Sequence, residues 1–372
     1  MDTPNPWGRP GGDPSPDASP TSLEPFTFTG TTREYFGIWI VNILLTIVTI
    51  GIYSAWAKVR RLRYFYGNTR LAGSSFDFHA SPIQILIGRI IVLVVLMVYN
   101  AALTFFPPAG IVLGVLFLFA LPFFVMRGLR FNARVTSYRN VRFDFSGGYW
   151  GAFNAYVLGG LVAWLSLGIL APLASRWMWR YTLGNLHYGG RPVSTDPRLG
   201  ALYRQWLLPA VLMLGGLVVF GASGIVISAY STVLQDMLSD TADAGKMVAA
   251  VLAVIYTALI PVIILGALAT LAYRAGTRNV AMNSTVIDGR HRLASSIHRG
   301  RFVWISVTNI LATLLSLGLA RPWAAIRMAR FLAAATALQV SGSLDDYLDT
   351  VKESGAAVGA EYMDVEGFDF GF

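Results

Sequence analysis

The sequence predicts an all-α polytopic membrane protein with internal repeats and small cytoplasmic β-elements. Three observations carry that prediction: an apolar composition, one glycine-centred segment that occurs three times, and basic residues gathered between the apolar stretches. The chain has 372 residues, 55% hydrophobic and 13% charged, about half the charged share of an ordinary soluble domain. The repeated segment reads Thr49-Ile50-Gly51-Ile52-Tyr53, Ser166-Leu167-Gly168-Ile169-Leu170 and Ser316-Leu317-Gly318-Leu319-Ala320. Alignment on the glycine also matches Asn42 with Asn309, and Arg63-Tyr64 with Arg180-Tyr181 and Arg330-Phe331.

Taken in order, residues 1–24 are rich in Pro, Gly, Asp and Ser and too polar to pack, so a disordered leader is expected. The start lacks a charged segment followed by a short apolar core, so a cleaved secretory signal is not expected. Residues 25–340 form the predicted membrane domain, with repeats at about 35–80, 149–195 and 301–342 and transmembrane hairpins at about 83–126 and 206–273. Residues 341–372 are an acidic, aromatic tail.

Charge decides the expected topology. Arginine-rich connections lie at 58–70, 127–142, 176–204 and 274–301. If every apolar stretch crossed the bilayer, about half of these charges would face outward, against the preference of Lys and Arg for cytoplasmic loops. If the repeats instead dip in and return, or lie along the inner surface, all four connections and both chain ends are cytoplasmic. Non-helical backbone at that depth must be buried in protein or line a wet cavity.

A second pattern sits at the membrane's edge: Phe26-Thr27-Phe28, Phe76-Asp77-Phe78, Phe143-Asp144-Phe145 and Phe368-Asp369-Phe370. Alternating aromatic and polar residues have the period of a half-buried strand. Small cytoplasmic β-structures are therefore expected, with the tail adding a strand to one of them.

The net charge of +9 in so apolar a chain belongs among lipid headgroups rather than on nucleic acid. Arg60, Arg63, Arg180, Arg327 and Arg330 are the candidates for holding a lipid phosphate or another anionic ligand, with snorkelling anchorage as the plainer role. Asn42 and Asn309 are candidates for lining a cavity, against helix-to-helix hydrogen bonding. Trp56 and Trp323 are candidate interfacial anchors. The chain has no cysteine and four histidines without ligand spacing, and no nucleophile motif, so no metal, cofactor or catalytic residue is predicted. Carboxylates and histidines are missing from the apolar stretches, which disfavours a proton-coupled carrier.

The run from Tyr35-Phe36-Gly37-Ile38-Trp39 through Ala55-Trp56-Ala57-Lys58-Val59-Arg60-Arg61-Leu62-Arg63-Tyr64-Phe65-Tyr66-Gly67-Asn68-Thr69 resembles the YjgN family of bacterial inner-membrane proteins, whose function is unknown. The likeness extends from about Phe26 to the C-terminus. Ala55 departs from the proline of the other two copies, which puts the turn geometry there in question. The resemblance implies an inner-membrane location and a membrane-associated zinc metallopeptidase as partner, and it transfers no catalytic residue. Two functions stay open. One is a non-enzymatic channel, carrier or lipid-handling protein with a site near the cytoplasmic leaflet and membrane lipids as its partners. The other is a scaffold or regulatory partner of such a peptidase.

Overall fold

The computed structural model describes residues 21–229, 252 and 255–342. Its organising element corrects the all-α expectation: eleven short strands form one antiparallel sheet in the order β1-β11-β10-β9-β8-β7-β6-β5-β4-β3-β2. The strands are β1 (Thr21–Pro25), β2 (Thr27–Phe28), β3 (Thr69–Leu71), β4 (Ser74–Phe78), β5 (Thr136–Tyr138), β6 (Val141–Phe145), β7 (Leu186–Tyr188), β8 (Arg191–Thr195), β9 (Thr285–Ile287), β10 (His291–Ser295) and β11 (Thr336–Ser341). β1 begins within the stretch expected as leader and ends one residue beyond it. It pairs with β11 at one end of the sheet, whereas β2 pairs with β3 at the other. Only Phe26 separates β1 from β2, and its N–H donates to the Thr336 carbonyl at 3.0 Å. One split strand thus bridges both edges and closes the sheet into a ring.

Four β-hairpins are read from local chemistry. Both central residues have positive φ at Ala72-Gly73, Arg139-Asn140 and Gly189-Gly190, the two-residue turn whose twist suits a hairpin. The fourth turn, Asp288 to Arg290, carries one more residue. What joins the hairpins is long-range: Phe78 pairs with Thr136, Phe145 with Leu186, Thr195 with Thr285 and Ser295 with Thr336. These registers place every tight turn on one rim and every strand-to-helix junction on the other.

From the junction rim rise five helical pairs among the described residues. They are α1 (Thr32–Val48) with α2 (Ser54–Asn68), α3 (Pro82–Phe105) with α4 (Pro107–Arg134), and α5 (Tyr149–Ala152) and α6 (Gly159–Leu165) with α7 (Ala171–Gly184). The others are α8 (Leu199–Ala229) with α9 (Ile260–Asn283) and α10 (Arg299–Leu315) with α11 (Arg321–Ala334). Single π-helical segments join α5 to α6 at Phe153–Leu158 and precede α9 at Ile255–Leu259. Four of the five return junctions share a device: Thr69, Thr136, Thr285 and Thr336 donate their hydroxyls to the carbonyls of Phe65, Asn132, Ala281 and Leu332 at 2.7–2.8 Å. Each pair packs against the next, and α11 meets α1, so the helices also close on themselves.

Among the described residues, four helices are long and apolar enough to cross a membrane: α3, α4, residues Leu199–Ile225 of α8, and α9. The other three pairs are shorter and turn alike. At Ile50-Gly51, Leu167-Gly168 and Leu317-Gly318 the φ angles are 50° and 89°, 50° and 86°, and 51° and 93°. Each glycine N–H donates five residues back, to Thr46, Ala163 and Thr313, at 2.7–2.8 Å. The hydroxyls of Thr49, Ser166 and Ser316 accept from the N–H groups of Tyr53, Leu170 and Ala320 at 2.8–3.0 Å. Ala55 in place of proline leaves this geometry unchanged. The tips present apolar side chains outward, with Ile50 and Leu317 each 94% exposed and Leu167 83%.

The ring is filled. Leu71, Tyr138, Val141, Tyr188, Leu338 and Val340 are buried within it, with Phe26, Phe76, Phe143, Ile287 and Leu293 packed against them. The first aromatic of each described Phe-x-Phe motif therefore points into the ring. Phe78 and Phe145 instead pack beneath the helices, with Val59, Ile85 and Phe131 and with Ala152 and Tyr181 respectively. Between them Asp144 meets Arg134 at 3.3 Å. The Phe368 copy and the expected tail strand lie outside the described residues, as does most of the acidic connection after α8.

His291 closes the far side of the ring at 2% exposure, its Nδ1 accepting from the Ser341 N–H at 3.3 Å. Burial, aided by Arg290 and opposed by Asp288, holds its pKa below the ordinary 6.5. An unfolded chain therefore takes up a proton near that pH that the folded chain resists, so this contribution to stability is present at neutral pH and is lost on acidification. We expect thermal midpoints to fall between pH 7.5 and 5 less steeply in His291→Gln than in the parent. Parallel slopes would disprove the assignment.

Candidate functional site

The helical pairs place the predicted site residues in two kinds of role. Asn42 and Asn309, both buried, sit on the outgoing arms of the first and last pairs and accept from the arginine of the returning arm: Arg60 Nη1 to Asn42 Oδ1 at 3.5 Å, Arg327 Nη1 to Asn309 Oδ1 at 3.1 Å. Asn309 also donates to the Ala324 carbonyl at 3.0 Å, and Arg327 to Thr308 Oγ1 at 2.6 Å. Such polar clamps hold helices together where water is scarce. The middle pair has Gly159 and Trp177 at the matched positions. A Cβ on Gly159 would lie 3.5 Å from Ala174 Cα, so close backbone approach replaces the clamp there.

Arg63, Arg330 and Arg180 serve the junctions. Arg63 Nε donates to the Phe78 carbonyl at 3.2 Å, Arg330 Nη2 to the Gly30 carbonyl at 2.8 Å, and Arg180 pairs with Asp196 at 3.7 Å. Trp323 lies under the Arg327 guanidinium, 5.1 Å from ring centre to Cζ, and Trp56 stacks on Tyr53 with centroids 6.2 Å apart.

Two clefts open between these elements. The larger, ≈ 1010 Å³, brings together His298, Arg301, Trp304, Trp323, Arg327 and Arg330, but Arg327 and Arg330 already hold Asn309 and Gly30, and Arg301 lies over Phe331 at 5.8 Å. The smaller, ≈ 590 Å³, gathers Lys58, Arg61, Arg89 and Arg321 beside Tyr35, Trp39, Asn42, Ile43, Thr46 and Ser54, with no carboxylate in its lining. Arg89 donates to Ser54 Oγ. The side chains of Lys58, Arg61 and Arg321 make no hydrogen bond or ion pair among the described residues.

The depth of this cluster matters more than its charge. Arg89 stands seven residues inside the apolar helix α3, about 10 Å along its axis. Arg321 is the first residue of α11, three beyond the tip glycine Gly318. Sequence reasoning counted Arg61 within the basic connection at 58–70 and gave no site role to Arg61, Arg89 or Arg321. The usable signal was a charge at the tip position where the other copies carry Ser54 and Ala171.

Helical pairs rooted on a filled β-ring, four of their helices long and apolar enough to span a bilayer, define a polytopic membrane protein of hairpin construction. Over residues 23–365 the chain matches the family described as "Bacterial protein of unknown function (DUF898)", and it belongs to that family. It is 27% identical over 361 residues to the "Inner membrane protein YjgN" of Salmonella typhimurium strain LT2, covering 86% of this chain and 88% of that one. It is 36% identical over 132 residues to the protein of the same name from Escherichia coli K12, covering 34% of this chain and 32% of the relative. No solved structure matches the chain.

Proposed function

We propose that this inner-membrane protein is a non-enzymatic lipid-handling protein that holds an anionic headgroup in the cleft of Lys58, Arg61, Arg89 and Arg321. The observation that carries the reading is that cleft: four cations from three helical pairs, no carboxylate, and apolar walls at Trp39, Ile43 and Ile47. Cations at membrane depth are costly without a partner, and a phosphate in the headgroup layer is the partner a bilayer supplies. The ring stands on the cytoplasmic side in this reading, with both chain ends there. The three short pairs are re-entrant repeats whose tips stop within the near leaflet. Because both ends of every pair meet one rim, all four arginine-rich connections lie on one face, which supports that orientation. The aromatic filling of the ring argues against a pore along its axis.

Delipidated protein should retain phosphatidylglycerol over phosphatidylcholine, and Arg61→Ala with Arg321→Ala should weaken that retention by at least about tenfold, the value of a charge-assisted hydrogen bond or two. Native mass spectrometry reads the bound lipid directly. Equal retention of both lipids, or no loss in the variant, would refute the reading.

A further inference from the structure

The cleft's cations come from parts of the chain far apart in sequence: Lys58 and Arg61 from α2, Arg89 from α3 and Arg321 from α11. These are the first, second and last helical pairs, so the cluster straddles the seam where the two ends of the ring meet. On that seam β1 pairs with β11, and Arg330 reaches the Gly30 carbonyl. Like charges from three separate bodies push them apart unless an anion sits among them.

Resting on the headgroup reading above, we propose that the ligand is a lipid phosphomonoester, and that its phosphate ties the first, second and last helical pairs together across the seam. A phosphomonoester presents three terminal oxygens and about −1.5 to −2 charges at neutral pH, one oxygen for each pair. A phosphodiester headgroup has two free oxygens and one charge, too few to engage all three pairs or to offset the four cations. The apolar wall of Trp39, Ile43 and Ile47, which climbs α1 toward the exposed tip at Ile50, gives the acyl chains their course. The same chemistry is offered by free phosphate, which lacks those chains.

The test uses the full chain, purified in non-ionic detergent and delipidated, with thermal midpoint and native mass spectrometry as readouts. Phosphatidic acid, phosphatidylglycerol, phosphatidylcholine and inorganic phosphate are added in parallel. Phosphatidic acid is expected to raise the midpoint by several degrees more than phosphatidylglycerol at pH 7.5. The advantage should shrink at pH 5, below the second phosphate pKa of about 6. Inorganic phosphate should give little shift. Arg61→Gln, at an exposed side chain with no hydrogen bond or ion pair among the described residues, should erase the phosphatidic acid increment. Equal shifts from phosphatidic acid and phosphatidylglycerol would overturn this proposal while leaving headgroup binding intact. A shift from inorganic phosphate as large as from phosphatidic acid would overturn its lipid part. No shift from either anionic lipid would overturn both it and the reading on which it rests.

Discussion

Tyr138→Ala is expected to cost about 3–5 kcal/mol of stability, the range for emptying a large buried aromatic site. Tyr138 is 4% exposed, its ring centroid 4.7 Å from that of Phe76 and 6.2 Å from that of Tyr188. Its hydroxyl donates to the Leu71 carbonyl at 2.7 Å, and its own carbonyl accepts from the Tyr188 hydroxyl at 3.0 Å. Truncation opens a cavity at the centre of the ring and leaves the Leu71 carbonyl without that donor. Tyr138→Phe keeps the volume and loses only the hydroxyl bond, so it should cost about 1 kcal/mol. Denaturant titration followed by circular dichroism separates the two. Parent-like stability in Tyr138→Ala would mean that the ring interior is not a packed core.

The second large effect is one of access. With cysteines introduced singly into a chain that has none, Phe106→Cys, between α3 and α4, should react with an impermeant maleimide applied from the periplasmic side. Ile50→Cys, Leu167→Cys and Leu317→Cys should not react from either side. The difference follows from length. Helix α1 has 17 residues and α3 has 24, which at 1.5 Å per residue is about 25 Å against about 36 Å. The short pairs also carry Lys58, Arg176 and Arg321 within eight residues of their tip glycines, which limits how deep they sit. Their exposed leucines and isoleucines each favour hydrocarbon over water by about 1.5–3 kcal/mol, so the tips bury themselves without emerging. Labelling of Leu317→Cys as fast as Phe106→Cys would show that the last pair crosses, and the re-entrant arrangement would fail with it.

Much of the helical scaffold could be read from residue pattern, because its causes are local. The long apolar runs became α3, α4, α8 and α9, and the glycine alignment foretold three turns whose φ angles agree within a few degrees. Phe76-Asp77-Phe78 and Phe143-Asp144-Phe145 marked strands correctly. The single sheet was not foreseen. Its strands run two to six residues, two of its hairpins lack the aromatic signature, and the pairings that join hairpins connect residues separated by whole helical pairs. Nothing near Phe78 in the sequence names Thr136 as its partner. For the site, reasoning residue by residue favoured arginines at matched repeat positions, and Arg60, Arg63 and Arg327 turned out to hold the scaffold's own carbonyls and amides. The open cleft is built instead from Lys58 and from arginines that break the pattern; Arg321 stood out by its tip position, but its meeting with Lys58, Arg61 and Arg89 is set by the tertiary fold.

The split strand at Phe26 also sets an order of assembly. Thr27 and Phe28 find β3 as soon as the first helical pair is made, but Thr21 to Pro25 have no partner until Thr336 to Ser341 leave the ribosome. Through nearly the whole of synthesis the growing sheet carries two unsatisfied borders, the kind of edge that invites pairing with foreign strands. A messenger truncated before the codon for Thr336 would release a chain whose helices can insert but whose β-ring stays unfinished, a natural target for surveillance at the membrane.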